Sequence, residues 1–361
     1  MQFAPGHSQA AAYGEAPLVV VTGGTGIVGT PLLRHLAELL PQHHFLLLTR
    51  RPELHRDLNV TPVFADLTDE SLGLDAATRT RIRGLATHIV HCAADTRFNL
   101  PIEQARRANT QGTLHMLTLA AACRRLTQFA HVSTLYIAGK RPGPVPEAPL
   151  SHDFGHYNTY TQAKHEAEAL VLERAGEIPS AIYRLSSVVD ETGSSGHFRQ
   201  VIRFVPRSNQ VPFFPADPLV PVDLVTADWT ARALATLIAR HFTPGAIRHI
   251  CAGADGALPV RVIMDLAFDA CESATGLSLR RPTLISLADF ERLSARLPAE
   301  SRIAKVIEHL ITFIPHLSVA QPFDCAVTAP LLEASGIRRP DVHSLLRNVF
   351  DNEFRETQVR V

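Results

Sequence analysis

Tyr160 and Lys164 stand four residues apart in "YNTYTQAK" (157–164), and a helical reading puts both side chains on one face. A lysine ammonium beside a phenol favours the phenolate and brings the tyrosine pKa down toward working pH, which suits proton transfer at a substrate oxygen. Upstream, "FAHVSTLY" (129–136) reads as a strand ending in Ser133 and Thr134, either of whose hydroxyls could share that oxygen with Tyr160. Tyr-x-x-x-Lys is common by chance, so the pair gains meaning only from what surrounds it.

The surroundings include "VVVTGGTGIVGTPLLRHL" (19–36), where Gly23, Gly24, Gly26 and Gly29 follow an apolar run and open an amphipathic one. Glycine is entropically expensive, and its use here implies a need for close backbone approach. A strand–glycine loop–helix unit offers a tight turn, room for a pyrophosphate and close helix–strand packing. The helix N-terminus adds unpaired N–H groups for the phosphates. The second predicted strand ends "LLLTRRPE", with Arg50 and Arg51 where an NAD-binding strand often carries an acid. Guanidinium groups suit a 2′-phosphate, so NADPH is the expected cofactor rather than NADH. Asp66, in "FADL", is placed to face the adenine edge.

The elements that would position these groups follow from the apolar pattern. Strands are predicted at 18–22, 44–49, 62–65, 87–91, 128–133, 180–185 and 247–251, with helical stretches between them. Continuous apolar strands alternating with helices predict an α/β fold, a doubly wound parallel sheet of Rossmann type. After Asp190 the rhythm breaks in a Gly-, Pro-, Ser- and Phe-rich excursion, returns with a helix at about 223–241 and the last strand, and ends in a mostly helical tail. The expected organisation is a loose tail (1–16), a dinucleotide-binding core (17–190 and 223–255) and a smaller, mostly helical, discontinuous substrate lobe (191–222 and 256–361). The chain has 361 residues, 46% apolar and 19% charged, with zero formal net charge, which fits a soluble globular protein and gives no sign of nucleic-acid binding. Five scattered cysteines without a CxxC pair predict neither disulfide nor metal site and point to a reducing cytoplasm. His88, His91 and His131 lack ligand spacing and are read as structural or pocket-lining, so no metal is expected. Neither a secretory signal nor an apolar run long enough to span a membrane is present.

TGGTGIVG, Asp66-Leu67, "HCAADTRFN" (91–99), Ser133-Thr134 and Tyr160-x-x-x-Lys164 together resemble the extended short-chain dehydrogenase/reductase superfamily, over about residues 17–255. "HCAADTRFN", "ANTQGTLHML" (108–117), "YRLSSVV" (183–189) and "VPVDLV" (220–225) resemble its branch of fatty acyl-CoA reductases and thioester reductase domains. The resemblance implies that Thr134, at the second position of Ser-Thr, bonds the reacting carbonyl oxygen, that Tyr160 protonates it, and that Lys164 holds the nicotinamide ribose and tunes Tyr160. Cofactor contacts are then expected from Thr22, Gly23, Gly26, Ile27, Val28, Gly29, Arg50, Arg51, Asp66, Leu67, Ala93 and Lys164.

On the substrate side, Thr96, Ser133, Arg199 and Arg203 are candidates. Arg199 and Arg203, with Arg207 beyond them, would form a basic stripe if helical, able to meet a coenzyme A or phosphopantetheine phosphate or the acidic face of an acyl carrier protein. A solvated helix face is the commoner reason for such a stripe. Phe198, Phe204, Phe213 and Phe214 are expected as lobe core rather than an acyl tunnel, and the amphipathic stretch 301–315 as packing rather than membrane contact. The expected activity is NADPH-dependent reduction of an acyl thioester, coenzyme A- or carrier-bound, or of the derived aldehyde. The competing readings are an epimerase, dehydratase or hydroxysteroid-type dehydrogenase acting on a sugar nucleotide or alcohol, and a cofactor sensor without chemistry, for which Tyr160 and Lys164 would be superfluous.

Overall fold

The predicted apolar runs assemble into one sheet because all but the edge run at 60–64 are largely buried and must be covered on both sides. A computed structural model describes residues 16–54, 60–190, 204–210, 212–295, 317–339 and 341–358. The strands are β1 (Leu18–Thr22), β2 (His44–Thr49), β3 (Val60–Phe64), β4 (Ala86–His91), β5 (Gln128–Thr134) and β6 (Ser180–Leu185), with a seventh at Ile247–Ile250. Their spatial order, starting from that seventh strand, is 7-6-5-4-1-2-3, and every pairing is parallel. Strand order therefore reverses between β1 and β4, and their carboxyl ends, Thr22 and His91, lie side by side in register. Crevices of this kind are where open α/β sheets bind ligands.

Helices α1 (Gly29–Leu39), α2 (Ala76–Leu85), α3 (Ile102–Arg106), α4 (Gly112–Ala121) and α5 (Thr159–Glu173) supply the crossovers. A π-helical turn, Arg107–Gln111, joins α3 to α4 without a break in the helical rod. The predicted return helix occupies Ala227–Arg240, four residues shorter at its start because Leu224–Thr226 pairs in parallel with Ser187–Val189. Thr226 caps that helix, its Oγ1 accepting from Trp229 N at 3.1 Å.

Two apolar layers hold the sheet. One side collects Val20, Leu46, Ile89, Phe129 and Met116. The other collects Val19, Val21, Leu32, Leu36 and Ala130 and continues without interruption into Trp229, Phe268, Phe350 and Phe354. The helix Val260–Thr275 packs on the terminal helix Val342–Gln358, so the described part of the tail is mostly helical, as expected. Phe204 and Phe214 are core, with ring centroids 5.3 Å apart, whereas Phe213 is exposed. Phe198, Arg199, Arg203 and the stretch 301–315 lie outside the described residues. No helix among the described residues is long and apolar enough to cross a membrane.

A buried ion pair fastens the last strand. Arg184 on β6 reaches Glu168 on α5 at 2.8 Å, with side chains 0% and 2% exposed. The same guanidinium donates to Ala148 O at 3.0 Å and lies 3.2 Å from His249 Nε2. Glu147 accepts from the backbone of His249 at 2.8 Å and from Val327 N at 2.9 Å, joining the last strand to a returning C-terminal segment.

Candidate active site and cofactor cradle

The glycine loop divides into a packed part and an open part. A Cβ on Gly23, whose φ is +75°, would lie 2.5 Å from Ala93 N; one on Gly29 would lie 2.0 Å from Gly23 O. These two glycines are required by the fold itself, because strand, loop and helix would otherwise collide. Gly26 is different: a Cβ there would meet only Gly23 O, at 3.3 Å, and otherwise open space. Thr25, Gly26 and Ile27 are exposed at the head of α1, while Val28 is buried. Val28, at the N-cap position of α1, makes no side-chain cap; Thr30 N is taken by Gly26 O at 3.0 Å and Pro31 carries no N–H, so Gly29 N is the helical donor left for another acceptor. The residues therefore fit a dinucleotide pyrophosphate, which would be held by the loop backbone and the α1 N-terminus.

Behind the loop, a buried polar chain sets the two strand ends. Thr22 Oγ1 lies 2.8 Å from His91 Nδ1 and accepts from Ala93 N at 3.2 Å. His91 Nε2 lies 3.1 Å from Thr113 Oγ1, which donates to Asn109 O at 2.7 Å. Burial drives the His91 pKa down to about 3, so the ring is neutral and works as a hydrogen-bond bridge. Asn109, in the π-turn, exchanges hydrogen bonds with the Asp95 backbone at 2.8 and 3.0 Å and so fixes the loop after β4. A π-turn inside a helix often marks a functional segment. Thr96 is exposed in that loop.

At the flank expected to receive the adenosine half, Arg50 and Arg51 are exposed at the end of β2, and neither forms an ion pair among the described residues. Asp66 is half-buried and its Oδ1 accepts from Thr68 N and Thr68 Oγ1, both at 2.9 Å. Leu67 is tied to α4, its carbonyl 2.8 Å from His115 Nδ1.

Helix α5 presents the candidate reacting groups. Asn158 Oδ1 caps it, accepting from Thr161 N at 2.9 Å, and Thr159 Oγ1 donates to Leu100 O at 2.8 Å. Arg106 grips Glu166 with Nε and Nη2 at 2.9 and 2.8 Å. The start of α5 is thereby fixed against the loop after β4. Tyr160, at 9% exposure, stacks on Phe98 with ring centroids 5.5 Å apart. Lys164 is buried; its Nζ donates to Val132 O at 2.8 Å and lies 3.2 Å from His131 Nε2.

The electrostatics correct one expectation. Burial, reinforced by the neighbouring Cys92 thiol, raises the Tyr160 pKa above its ordinary value, and no contribution from Lys164 offsets it. The lysine is instead turned to β5, and its own pKa is lowered to about 8 by burial. Cys92 is raised to about 11 for the same reason. A phenol raised in this way stays protonated at neutral pH and suits a proton donor better than a base.

Ser133 and Thr134 differ in their bonding. Thr134 Oγ1 accepts from Tyr136 N at 3.3 Å and caps the short turn Leu135–Ala138. Ser133 Oγ is buried with no partner, as is His131 Nδ1. Strand alternation puts Ser133 on the His131 side of β5 and Thr134 on the other. Buried orphan groups call for an explanation, and a bound ligand or water beside Lys164 is a physical one.

Asn109 and Phe98 lie at this site although the sequence singles out neither, whereas His91 and His131, read from the sequence as structural or pocket-lining, line it. The signal available was register: His91 and His131 are direct partners across β4 and β5, with ring centroids 5.5 Å apart.

Fold and cradle together define an extended short-chain dehydrogenase/reductase architecture. The chain belongs to the NAD-binding family described as male sterility protein, whose model matches residues 53–234. It is 34% identical over 212 residues to an isonitrile lipopeptide synthase of Streptomyces coeruleorubidus, covering 51% of this chain and 14% of that protein. It is 26% identical over 275 residues to fatty acyl-CoA reductase 1 of Gallus gallus, covering 59% of this chain and 53% of the relative. The chain thus spans only part of the curated relatives it matches. Among solved structures, the terminal R domain from the myxalamid PKS-NRPS biosynthetic pathway superposes with a TM-score of 0.73 at 22% identity, covering 95% of this chain and 92% of that one. A nicotinamide dinucleotide is the cofactor class to which family and cradle both point.

Proposed function

We propose that this chain is an NADPH-dependent reductase of acyl thioesters, presented on coenzyme A or on a carrier protein, or of the derived aldehydes. The observation that carries the reading is the placement of Tyr160 and Lys164 one helical turn apart on α5, at the carboxyl edge of the sheet. The Gallus gallus relative's name supports an acyl-CoA substrate, and the origin of the myxalamid R domain supports a carrier-bound one.

The dinucleotide supplies a hydride to the carbonyl carbon. In this reading Arg50 and Arg51 bind the 2′-phosphate, the open loop at Gly26 admits the pyrophosphate, and Lys164 turns from Val132 O to the nicotinamide ribose. Thr134 donates to the carbonyl oxygen and Tyr160 delivers its phenolic proton there as negative charge develops. A thioester becomes a hemithioacetal, whose C–S bond then breaks to give aldehyde and free thiol. Arg199 and Arg203 remain candidates for the carrier or coenzyme phosphate.

The test is to follow nicotinamide absorbance and free thiol together with NADPH and a panel of acyl-CoA and acyl-pantetheine thioesters. Thiol released in step with NADPH loss is expected, one equivalent of NADPH per thiol for an aldehyde product and two for an alcohol. Absence of thiol release across the panel, with NADPH bound, would refute thioester reduction.

A further inference from the structure

We propose that His152, His156 and His165 form a binding site for a divalent transition ion of the zinc type, lying outside the reductase machinery. The sequence reading places no metal on the chain; the fold brings together three imidazoles whose candidate ligand atoms all lie within 4.8 Å of one another. His165 follows Lys164 on α5 and points about 100° away round the helix. His152 and His156 come from the turn that precedes α5.

The two inner histidines are spaced as ligands. His165 Nδ1 and His156 Nε2 are 3.2 Å apart. Two nitrogens bound tetrahedrally to zinc at ~2.0–2.1 Å are separated by about 3.3 Å. The other nitrogen of His165, Nε2, lies 3.1 Å from Leu150 O. That carbonyl fixes the proton on Nε2 and leaves the Nδ1 lone pair facing His156, the outer-sphere arrangement common to metal-binding histidines. Without an ion, His156 Nε2–H donates to that lone pair; metal binding would move the proton to His156 Nδ1, which is buried and otherwise without a partner.

His152 completes the set from the solvent side. Its ring stacks on His165, with centroids 3.5 Å apart and planes 13° from parallel. Stacked rings send their lone pairs side by side rather than to one point, so ion binding requires His152 to rotate. The residue is exposed and free to do so, on a turn that is otherwise pinned by Lys140 N donating to Gly155 O at 3.1 Å. Glu166 and Lys140, of opposite sign, both act electrostatically on His156. Three imidazoles, the outermost of them exposed, make a donor set suited to zinc and its borderline neighbours. Bound there, the ion would staple the 150–157 turn to α5.

The test is zinc binding by the whole chain, measured calorimetrically with zinc alone, and the ligand-field spectrum after cobalt substitution. One ion per chain with tetrahedral cobalt bands is expected. His152→Ala, at an exposed position, is expected to weaken binding about 10- to 100-fold while leaving the melting temperature of the ion-free chain unchanged. His156→Ala is expected to abolish stoichiometric binding, but the decision does not rest on that more buried position. Failure to bind stoichiometrically, or affinity and spectrum that His152→Ala leaves unaltered, would overturn the site and assign any bound zinc to others of the 18 histidines.

Discussion

Lys164 Nζ and His131 Nε2 lie 3.2 Å apart in the buried seam between α5 and β5, with Val132 O on the same nitrogen at 2.8 Å. The seam holds a cation where solvent cannot, and its titration is therefore displaced. In the folded chain the Lys164 pKa is lowered to about 8, against 10.5 for the free side chain. Between those values the unfolded chain binds the extra proton, so this group makes stability rise with pH across that window, and its penalty is fully present below it. Dinucleotide affinity should move the other way, falling as the ammonium is lost above about 8. Dissociation constants measured across a pH series bracketing that value should show the inflection, and Lys164→Arg should lack it.

Removing the phenolic proton isolates the chemical step. Tyr160→Phe keeps the ring that stacks on Phe98. Turnover is expected to fall ~10²–10⁴-fold with NADPH binding nearly unchanged. Full activity in this variant would remove Tyr160 as the proton donor.

Two glycine substitutions should separate fold from ligand. Gly26→Val meets only Gly23 O, at 3.3 Å from the new Cβ, and is expected to leave a folded chain whose NADPH affinity drops at least about tenfold, or 1.4 kcal/mol. Gly29→Ala drives a methyl against Gly23 O and is expected to lower the melting temperature instead. Unchanged affinity in Gly26→Val would move the pyrophosphate elsewhere.

The proposed preference for NADPH rests on the exposed arginines after β2. Arg50→Ser with Arg51→Ser should cut the NADPH-over-NADH preference by about 10- to 100-fold, the worth of one or two charge-assisted hydrogen bonds. Comparable losses for both cofactors would show that these residues do not read the 2′-phosphate.

Glu168→Ala leaves Arg184 buried and uncompensated, and is expected to destabilise the chain by about 3–5 kcal/mol in denaturant unfolding. A much smaller change would mean that the Ala148 and Pro146 carbonyls and His249 already satisfy the guanidinium.

The strands were legible because each is a short apolar run: 18–22, 44–49 and 180–185 coincide with the observed elements to the residue. The glycine loop was legible for a similar reason, as residue type and position coincide there. What the sequence withheld depends on cross-strand and side-chain geometry. The direction of Lys164 depends on which strand α5 covers, and the effect of burial on Tyr160 outweighs the sequence-local argument from a lysine four residues on. Asn109 could not be read as a loop anchor, since its role arises from a π-turn within a pattern that reads as ordinary helix. His152 and His156 are eight residues or less from Tyr160 yet carry no periodicity that would pair them with His165.

Carboxylates at the rim of the sheet have a consequence for how these molecules meet each other. The outermost strand, Ile247–Ile250, hydrogen-bonds to β6 on one side, and on the other Glu147 occupies the backbone N–H of His249. Just past the strand, Asp223 accepts from Ala252 N and Gly253 N at 2.9 and 2.8 Å. With the backbone donors of His249, Ala252 and Gly253 taken by carboxylates, this stretch is a poorer template for a strand from another copy. Crowded solutions of this protein are thus guarded at that margin against edge-to-edge aggregation, by two acids of which Glu147 also binds a returning segment at Val327.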